Sequence, residues 1–245
     1  IKKYNLIMID MDGVLRTGLK KIGLAGIVIK KLNENNIPYV ILTNDCMKNP
    51  KTIKHDLKLM GINVGNKNHI ISASLLVKNK LMNLLNSDDE FKSTKKCGKA
   101  SGSSKKSVGI ISSHELHNYV KSKIQIRYYN TKFYNINENV IPNNLDYIIV
   151  GALENDDNIE KNLLKTFQWI YNNPKAKLII SCSDTICVET MKTMVRYSPV
   201  KILQEIECRV RNNHPTFNWN TLKNTISNNN EKQDFSKYKI NNVQI

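Results

Sequence analysis

The chain has 245 residues, of which 40% are hydrophobic and 24% are charged. These proportions are typical of a globular protein and exclude a chain that is disordered throughout. The length allows one large domain or two small ones with a sizeable core. The longest apolar runs, such as residues 6–9 and Tyr147–Val150, are far too short to span a bilayer, so we expect no membrane partner.

The net charge of +16 comes from 37 basic and 21 acidic residues. Of the basic residues 32 are Lys and only 5 are Arg, and the chain also holds 34 Asn. This excess of Lys and Asn is typical of an AT-rich genome. It disfavours a nucleic-acid partner, because phosphate and base-edge recognition favours Arg. A basic surface still attracts anionic substrates such as phosphate esters.

The five cysteines are an odd number, and no two of them have the C-x-x-C spacing of a zinc ribbon. This usage is typical of a reduced compartment, and we expect a cytoplasmic protein. The chain begins without Met, so an upstream leader and an organelle remain open. His114 and His117 lie three residues apart without a third ligand nearby, so no zinc site is expected.

The first third of the chain alternates continuous apolar runs with apolar residues at helical spacing. Buried parallel strands and amphipathic helices have these two patterns. Their alternation predicts a parallel sheet with right-handed crossovers. The predicted elements are, in order, strand 4–9, helix 24–35, strand 38–42, helix 50–60, strand 69–72 and helix 75–85.

Residues 86–107 lack this periodicity and are rich in Lys, Ser and Gly, so we predict a flexible surface insertion. Strand and helix patterns resume after it. The predicted strands are 108–111, 145–150 and 177–180, with a further strand around Phe133, and the predicted helices are 113–122, 159–171 and 199–210. A helix over 217–226 and a strand over 238–245 are predicted for the last part.

Two carboxylates follow the first predicted strand, in the sequence Asp10-Met-Asp12-Gly13. In an open parallel sheet, ligands bind beyond the carboxyl ends of the strands. Two carboxylates there are costly unless they hold a metal ion or transfer protons. The alternative is a turn in which Asp and Gly merely end the strand. It is disfavoured because the second strand also ends in polar side chains, Thr43 and Asn44.

These residues resemble the haloacid dehalogenase superfamily of aspartate-nucleophile phosphohydrolases. Its first motif is an apolar strand followed by D-x-D-G-x-L, and its second is an apolar strand that ends in Ser or Thr. The resemblance narrows to NagD-like and p-nitrophenylphosphatase-like enzymes, which include phosphoglycolate and pyridoxal phosphate phosphatases. In that group the second motif reads Thr-Asn and a stretch with Lys, Leu and Gly-Ile follows, matched here by Lys54, Leu57, Gly61 and Ile62. Residues 71–74 and 146–151 look like its third strand and a cap strand.

The resemblance implies a magnesium-dependent phosphohydrolase. Asp10 would attack phosphorus and form an aspartyl phosphate. Asp12 would protonate the leaving group and then activate water. Mg²⁺, with Asp10 and Asp12 as its ligands, would bridge the nucleophile and the phosphate.

The resemblance also implies residues that bind the substrate. Thr43 would act in catalysis by holding phosphate oxygens, together with backbone amides near Gly13 and Asn44. Ser183 and Asp184 lie where caps of this group carry Asn-Pro-Asp, and they would line the substrate pocket.

The third motif of the family, Gly-Lys-Pro-Ser, has its best match in Asn-His214-Pro-Thr. His214 would then replace the Lys that neutralises the nucleophile and the phosphate. In that case activity should fall above about pH 7, because imidazole loses its charge there. A surface role for His214 is the alternative, and Lys201 and Lys223 are other cations that lack the Pro context.

The fourth motif, Gly-Asp followed by a further Asp, should come after a strand such as residues 240–245, where the printed chain ends. We expect either that the chain is cut before this motif or that the protein lacks it. The missing initiator Met favours a fragment.

We therefore predict an α/β protein with a Rossmann-like, parallel-sheet core of the haloacid dehalogenase type. The core comprises residues 1–85 and 209–245, and an α/β cap domain is inserted over residues 86–208. The expected partner is a small phosphorylated metabolite, and a homodimer through the cap stays open. The alternative function, suggested by His214 and the absent fourth motif, is a catalytically impaired relative that serves as a binding or structural subunit.

Overall fold

The computed structural model describes residues 5–65, 69–93, 105–138, 140, 142–153, 158–181, 186–188 and 195–211. Within these residues no helix is both long and apolar enough to cross a membrane. The elements are, in chain order, β1 (Ile7–Asp10), β2 (Arg16–Thr17), β3 (Lys20–Lys21), α1 (Ala25–Glu34), β4 (Tyr39–Thr43), α2 (Pro50–Leu59), β5 (Ile70–Ser72), α3 (Ala73–Ser93), β6 (Ser107–Ile111), α4 (His114–Gln125), β7 (Lys132–Asn135), β8 (Tyr147–Val150), α5 (Ile159–Asn172), β9 (Lys177–Ile180), β10 (Ile186–Val188), β11 (Val195–Tyr197) and α6 (Pro199–Arg211).

The first sheet contains β1, β4 and β5 in that order, and all its pairs are parallel. Asp10 lies opposite Leu42, and Thr43 lies opposite Ser72. The ends of the three strands therefore meet at one edge of the sheet, as the alternation of strands and helices predicts. Helices α1 and α2 pack on this sheet through buried apolar side chains, among them Ile29, Leu32, Ile53 and Leu57.

Helix α2 begins where the sequence indicates. The Asn49 side chain accepts hydrogen bonds from the backbone amides of Lys51 and Thr52, and Pro50 occupies the first turn. Both features stabilise a helix start, because they use or remove amides that have no partner within the helix. Gly61 follows the helix with φ 76°, a left-handed conformation that suits a residue without Cβ.

The second sheet has the order β7-β6-β8-β9, and all its pairs are parallel. Strand β8 is buried on both faces. Tyr147 and Ile149 pack against α3 and α4, whereas Ile148 and Val150 pack against α5 and α6. Because successive strand residues point to opposite faces, a run of four apolar residues fits this sandwiched position. The two sheets and their helices confirm the predicted α/β class.

The predicted end of the third helix at residue 85 is wrong. Helix α3 continues to Ser93 and so takes up the first eight residues of the predicted insertion. The segment has polar residues but no Pro or Gly before Gly98, so nothing in it interrupts helical hydrogen bonding. Val77, Leu81 and Leu85 recur at the helical spacing of four and pack on the second sheet.

Smaller elements complete the described fold. β2 and β3 form a two-residue antiparallel ladder after the carboxylate motif, and β10 pairs with β11. The sequence patterns indicated neither pair, because such short ladders leave no apolar periodicity. Strand β7 confirms the strand predicted around Phe133. Residues 94–104 of the predicted insertion, helix 217–226 and strand 238–245 lie outside the described residues.

The loop after β4 contacts the carboxyl-end edge of the second sheet. Glu115, in the first turn of α4, accepts hydrogen bonds from the Asn49 backbone N–H (3.0 Å) and from its Nδ2 (2.8 Å). Ser113 Oγ donates to the Met47 carbonyl at 3.3 Å. The contact places α4 beside the end of the first sheet. The division at residue 85 stays a prediction, and it falls within α3.

His117 on α4 is buried, with 5% of its surface exposed. Its Nε2 has no hydrogen-bond partner within the part of the chain that the structure describes. Burial is the main cause that lowers the pKa of His117 below the ordinary 6.5; Lys121 and His114 add to it, while Asn118 and Glu138 oppose it. The folded protein therefore holds this imidazole neutral below the pH at which the unfolded chain protonates it.

The buried imidazole predicts a loss of stability in mild acid. Below about pH 6.5 the unfolded state binds more protons at His117 than the folded state does, so the free energy of unfolding falls until the lowered pKa is passed. We expect the urea midpoint of the protein to drop between pH 7.5 and 5.5, and the drop to be smaller in His117→Leu. The exposed His55→Leu is the control for the loss of a histidine from the surface. Equal slopes in all three proteins would contradict the assignment.

Candidate active site at the end of the first sheet

Asp10 is the last residue of β1, and it is exposed. The next residue, Met11, is fully buried, and its backbone N–H donates to the Leu42 carbonyl at 3.0 Å. The chain is thus held against β4 up to the point at which the Asp10 carboxylate emerges at the sheet edge. The structure places this carboxylate where a ligand of a parallel sheet binds.

A tight loop brings Asp12 back towards β4. The backbone amides of Leu15 and Arg16 donate to the Met11 carbonyl at 2.9 and 3.1 Å, and Gly13 N–H donates to the Arg16 carbonyl at 2.8 Å. Gly13 has φ 87°, so a side chain here would strain the turn. Gly13 of the motif therefore allows the backbone conformation that this loop requires.

Thr43, the last residue of β4, contacts the second carboxylate. Its Oγ1 donates to Asp12 Oδ2 at 3.2 Å and accepts from the Asp45 backbone N–H at 3.0 Å. Thr43 is 9% exposed, whereas its neighbour Asn44 is exposed. The structure brings Asp10, Asp12, Gly13, Thr43 and Asn44 to one end of the first sheet.

Sequence reasoning missed two residues of this site, Arg16 and Asp45. The Arg16 side chain is 8% exposed; its Nε donates to Asp12 Oδ1 at 2.8 Å, and its Nη2 lies 3.6 Å from Asp45 Oδ2. Asp45 Oδ1 accepts from the backbone amides of Met47 and Lys48. No motif in the sequence indicates this pairing, although a buried Arg requires a partner carboxylate.

Several predicted site residues lie elsewhere. Ser183, Asp184, His214 and Lys223 are outside the described residues. Lys201 lies in the first turns of α6, where its Nζ is 3.8 Å from Glu205 Oε2.

The carboxylates at the strand end are suitable ligands for Mg²⁺, which prefers oxygen donors. Asp10 is exposed, while both oxygens of Asp12 accept hydrogen bonds from Arg16 and Thr43. In the described ranges no three His, Cys, Asp or Glu side chains form a group that could enclose a metal ion. Mg²⁺ is commonly bound by one or two carboxylates, water and a substrate phosphate, so the residues present fit such a site.

Residues 7–123 match the family model of haloacid dehalogenase-like hydrolases. This segment holds all of the first sheet and both polar strand ends. This segment, just under half of the chain, is similar to haloacid dehalogenase-like hydrolases. The resemblance inferred from the two motifs is thereby confirmed.

The chain is also similar to curated acid sugar phosphatases of staphylococci. It is 33% identical over 75 residues to that of Staphylococcus saprophyticus, covering 31% of this chain and 29% of the relative. It is 36% identical over 62 residues to that of Staphylococcus epidermidis, covering 25% of this chain and 24% of the relative. The chain thus matches less than a third of the length of these relatives.

Solved structures share its fold over a longer span. A mutant of thermostable p-nitrophenylphosphatase from Bacillus stearothermophilus matches with a TM-score of 0.55 and 21% identity, over 85% of this chain and 67% of that one. The 4-nitrophenylphosphatase of Thermotoga maritima matches with a TM-score of 0.56 and 16% identity, over 84% and 64%. These likenesses confirm the predicted haloacid dehalogenase-type fold.

Proposed function

We propose that this protein is a magnesium-dependent phosphohydrolase that cleaves a small phosphate monoester through an aspartyl-phosphate intermediate. The most direct support is the exposed Asp10 at the end of β1, two residues before Asp12, whose carboxylate is held by Thr43 and Arg16. The relatives named acid sugar phosphatase and p-nitrophenylphosphatase support the same chemistry.

Asp10 acts as the nucleophile. Its carboxylate oxygen attacks phosphorus as the bond from phosphorus to the leaving oxygen breaks, so an aspartyl phosphate forms and an alcohol departs. Water then attacks phosphorus, which releases inorganic phosphate and regenerates the Asp10 carboxylate. The exposure of Asp10 at the sheet edge leaves room for a phosphate to approach.

Asp12 moves the protons. It donates a proton to the leaving oxygen in the first step and takes one from water in the second. The Thr43 hydroxyl contacts Asp12 Oδ2 at 3.2 Å, so the carboxylate already points to the end of β4. In the complex, Thr43 and the backbone amides after β4 bind phosphate oxygens.

Asp10 and Asp12 would hold a magnesium ion, which would supply charge neutralisation between the carboxylates and the phosphate. The protein itself must hold two carboxylates of like charge at the end of one strand. Arg16 provides a positive charge for that purpose, through its 2.8 Å contact with Asp12.

The second sheet acts as a cap that selects the substrate. The contact from Asn49 to Glu115 and the contact from Ser113 to Met47 place α4 next to the loop after β4. A cap in this place excludes water from the phosphate and contacts the alcohol part of the ester. The acid sugar phosphatase relatives make sugar phosphates the first substrates to test.

Phosphate release from p-nitrophenyl phosphate tests the function. We expect the full protein to release p-nitrophenolate in buffer with Mg²⁺, to lose the activity in excess EDTA and to regain it when Mg²⁺ is added back. A panel of sugar phosphates, followed by measurement of inorganic phosphate, then ranks the substrates. No release from any of these esters with Mg²⁺ present would instead favour the non-catalytic relative.

A further inference from the structure

Arg16 is part of a closed ring of polar contacts around Asp12. Its Nε binds Asp12 Oδ1 at 2.8 Å and its Nη2 lies 3.6 Å from Asp45 Oδ2. The Asp45 backbone N–H donates to Thr43 Oγ1, which in turn donates to Asp12 Oδ2. Arg16 and Thr43 therefore hold the two oxygens of Asp12 separately.

Because Arg16 and Asp45 are buried, removing one partner of this ring costs more than breaking a surface ion pair. The side chain of Arg16 is 8% exposed and that of Asp45 is 14% exposed, while Asp12 is 44% exposed. A guanidinium removed from water needs charged partners, and its planar fork fixes their orientation better than an ammonium does. The ring thus has a buried anchor, formed by Arg16 and Asp45, and one accessible carboxylate.

The backbone of Arg16 fixes the same loop. Its N–H donates to the Met11 carbonyl at 3.1 Å, and its carbonyl accepts from Gly13 N–H at 2.8 Å. Because the backbone N–H and carbonyl of Arg16 are both hydrogen-bonded, the position of its Cα relative to the loop that holds Asp12 is fixed. Backbone and side chain together leave Asp12 little freedom to rotate.

We infer that Arg16 is a positioning residue, which holds the Asp12 carboxylate in the orientation for proton transfer and is itself anchored by Asp45. The inference rests on the proposed role of Asp12 as proton donor. Misplacing a catalytic group by about 1 Å lowers rates by about 100-fold, so such an anchor affects the rate directly.

The test compares Arg16→Met, Arg16→Lys and the control Arg127→Met. Met keeps the length and apolar stem of Arg but removes the fork, whereas Lys keeps the charge without the fork. Arg127 is an exposed arginine on the second sheet's side of the molecule, where its guanidinium lies 5.8 Å from the Tyr128 ring centre. Each variant is assayed with p-nitrophenyl phosphate and with glycerol 1-phosphate in Mg²⁺.

A defect in proton donation depends on the leaving group. An alkoxide needs a proton as it leaves, whereas p-nitrophenolate is a good leaving group without one. We expect Arg16→Met to lower kcat about 10-fold for p-nitrophenyl phosphate and about 100-fold for glycerol 1-phosphate, with little change in KM. The kcat of Arg16→Lys should lie between that of Arg16→Met and that of the unchanged protein. The kcat of Arg127→Met should equal that of the unchanged protein. An equal loss for both esters would indicate a merely structural role and would overturn the inference.

Crystal structures of the unchanged protein and Arg16→Met give a readout that does not depend on activity. We expect the contact of 3.2 Å between Asp12 and Thr43 to be lost in the variant. If Asp12 keeps its rotamer there, Arg16 does not position it, whatever the rates. An inactive unchanged protein with a displaced Asp12 in the variant would instead contradict the proposed function and leave the positioning role standing.

Discussion

Asp10→Asn is expected to lower phosphate release from p-nitrophenyl phosphate by about 1,000-fold or more, because an amide oxygen does not form the phosphoryl intermediate. The two side chains have nearly the same shape, and position 10 is exposed, so the fold should persist. The measurement is kcat at saturating substrate with Mg²⁺, accompanied by the urea midpoint to show that the variant is folded.

A control substitution far from the site shows whether the loss of any carboxylate charge lowers activity. Glu34→Gln also turns a carboxylate into an amide, at an exposed position on α1 where Glu34 pairs with Lys30 at 3.7 Å. Such surface pairs contribute little, so this control should keep full activity and stability. Activity of Asp10→Asn equal to that of the control would show that another residue is the nucleophile.

Trp169→Ala is expected to cause the largest loss of stability, about 3–5 kcal/mol in the free energy of unfolding. Trp169 on α5 is fully buried in the cluster beneath the second sheet, together with Ile148, Leu163 and Phe167. Its ring lies close to Gly109 on β6: a Cβ there would be 3.0 Å from the ring. Because protein interiors are close-packed, truncation of this side chain leaves a cavity.

Urea unfolding followed by far-ultraviolet circular dichroism measures this loss, with Trp169→Phe as the matched control. Phe restores much of the ring volume, and the Trp169 indole N–H has no hydrogen-bond partner in the described part of the chain. Trp169→Phe should therefore lose less than half as much as Trp169→Ala. A loss below about 1 kcal/mol for Trp169→Ala would mean that the site collapses around the smaller residue. The free energy of unfolding of a domain is typically about 5–15 kcal/mol, so the alanine variant loses a large fraction of it.

The first sheet and its polar edge follow from local sequence. Strand β4 is a run of buried apolar residues that ends at Thr43, and β1 ends at Asp10. Because parallel strands place their carboxyl ends at one edge, adjacency of these two polar ends could be predicted without coordinates. The bounds of α2, predicted as 50–60 and observed as Pro50–Leu59, depend on equally local features, because the structure shows a side-chain cap at Asn49 and a positive φ at Gly61 within a few residues of the ends.

Contacts between distant residues were decided by the tertiary structure alone. Arg16 meets Asp45 across 29 positions, and Asn49 meets Glu115 across 66. In the sequence each of these residues is an ordinary polar one on a loop or helix, with no periodicity or motif to mark it. Only when the loop after β1 folds back beside the end of β4 does burial force Arg16 to find carboxylates.

The length of α3 was also decided by packing. Residues 86–93 are mostly polar, and this composition predicts that the helix ends before them, yet α3 reaches Ser93. Its earlier turns are held by Leu81 and Leu85 against the second sheet, and a helix propagates more easily than it starts. The sequence by itself therefore determined the strand ends and the chemistry offered there. The tertiary structure decided which charges hold Asp12, because burial and through-space distance set those partners.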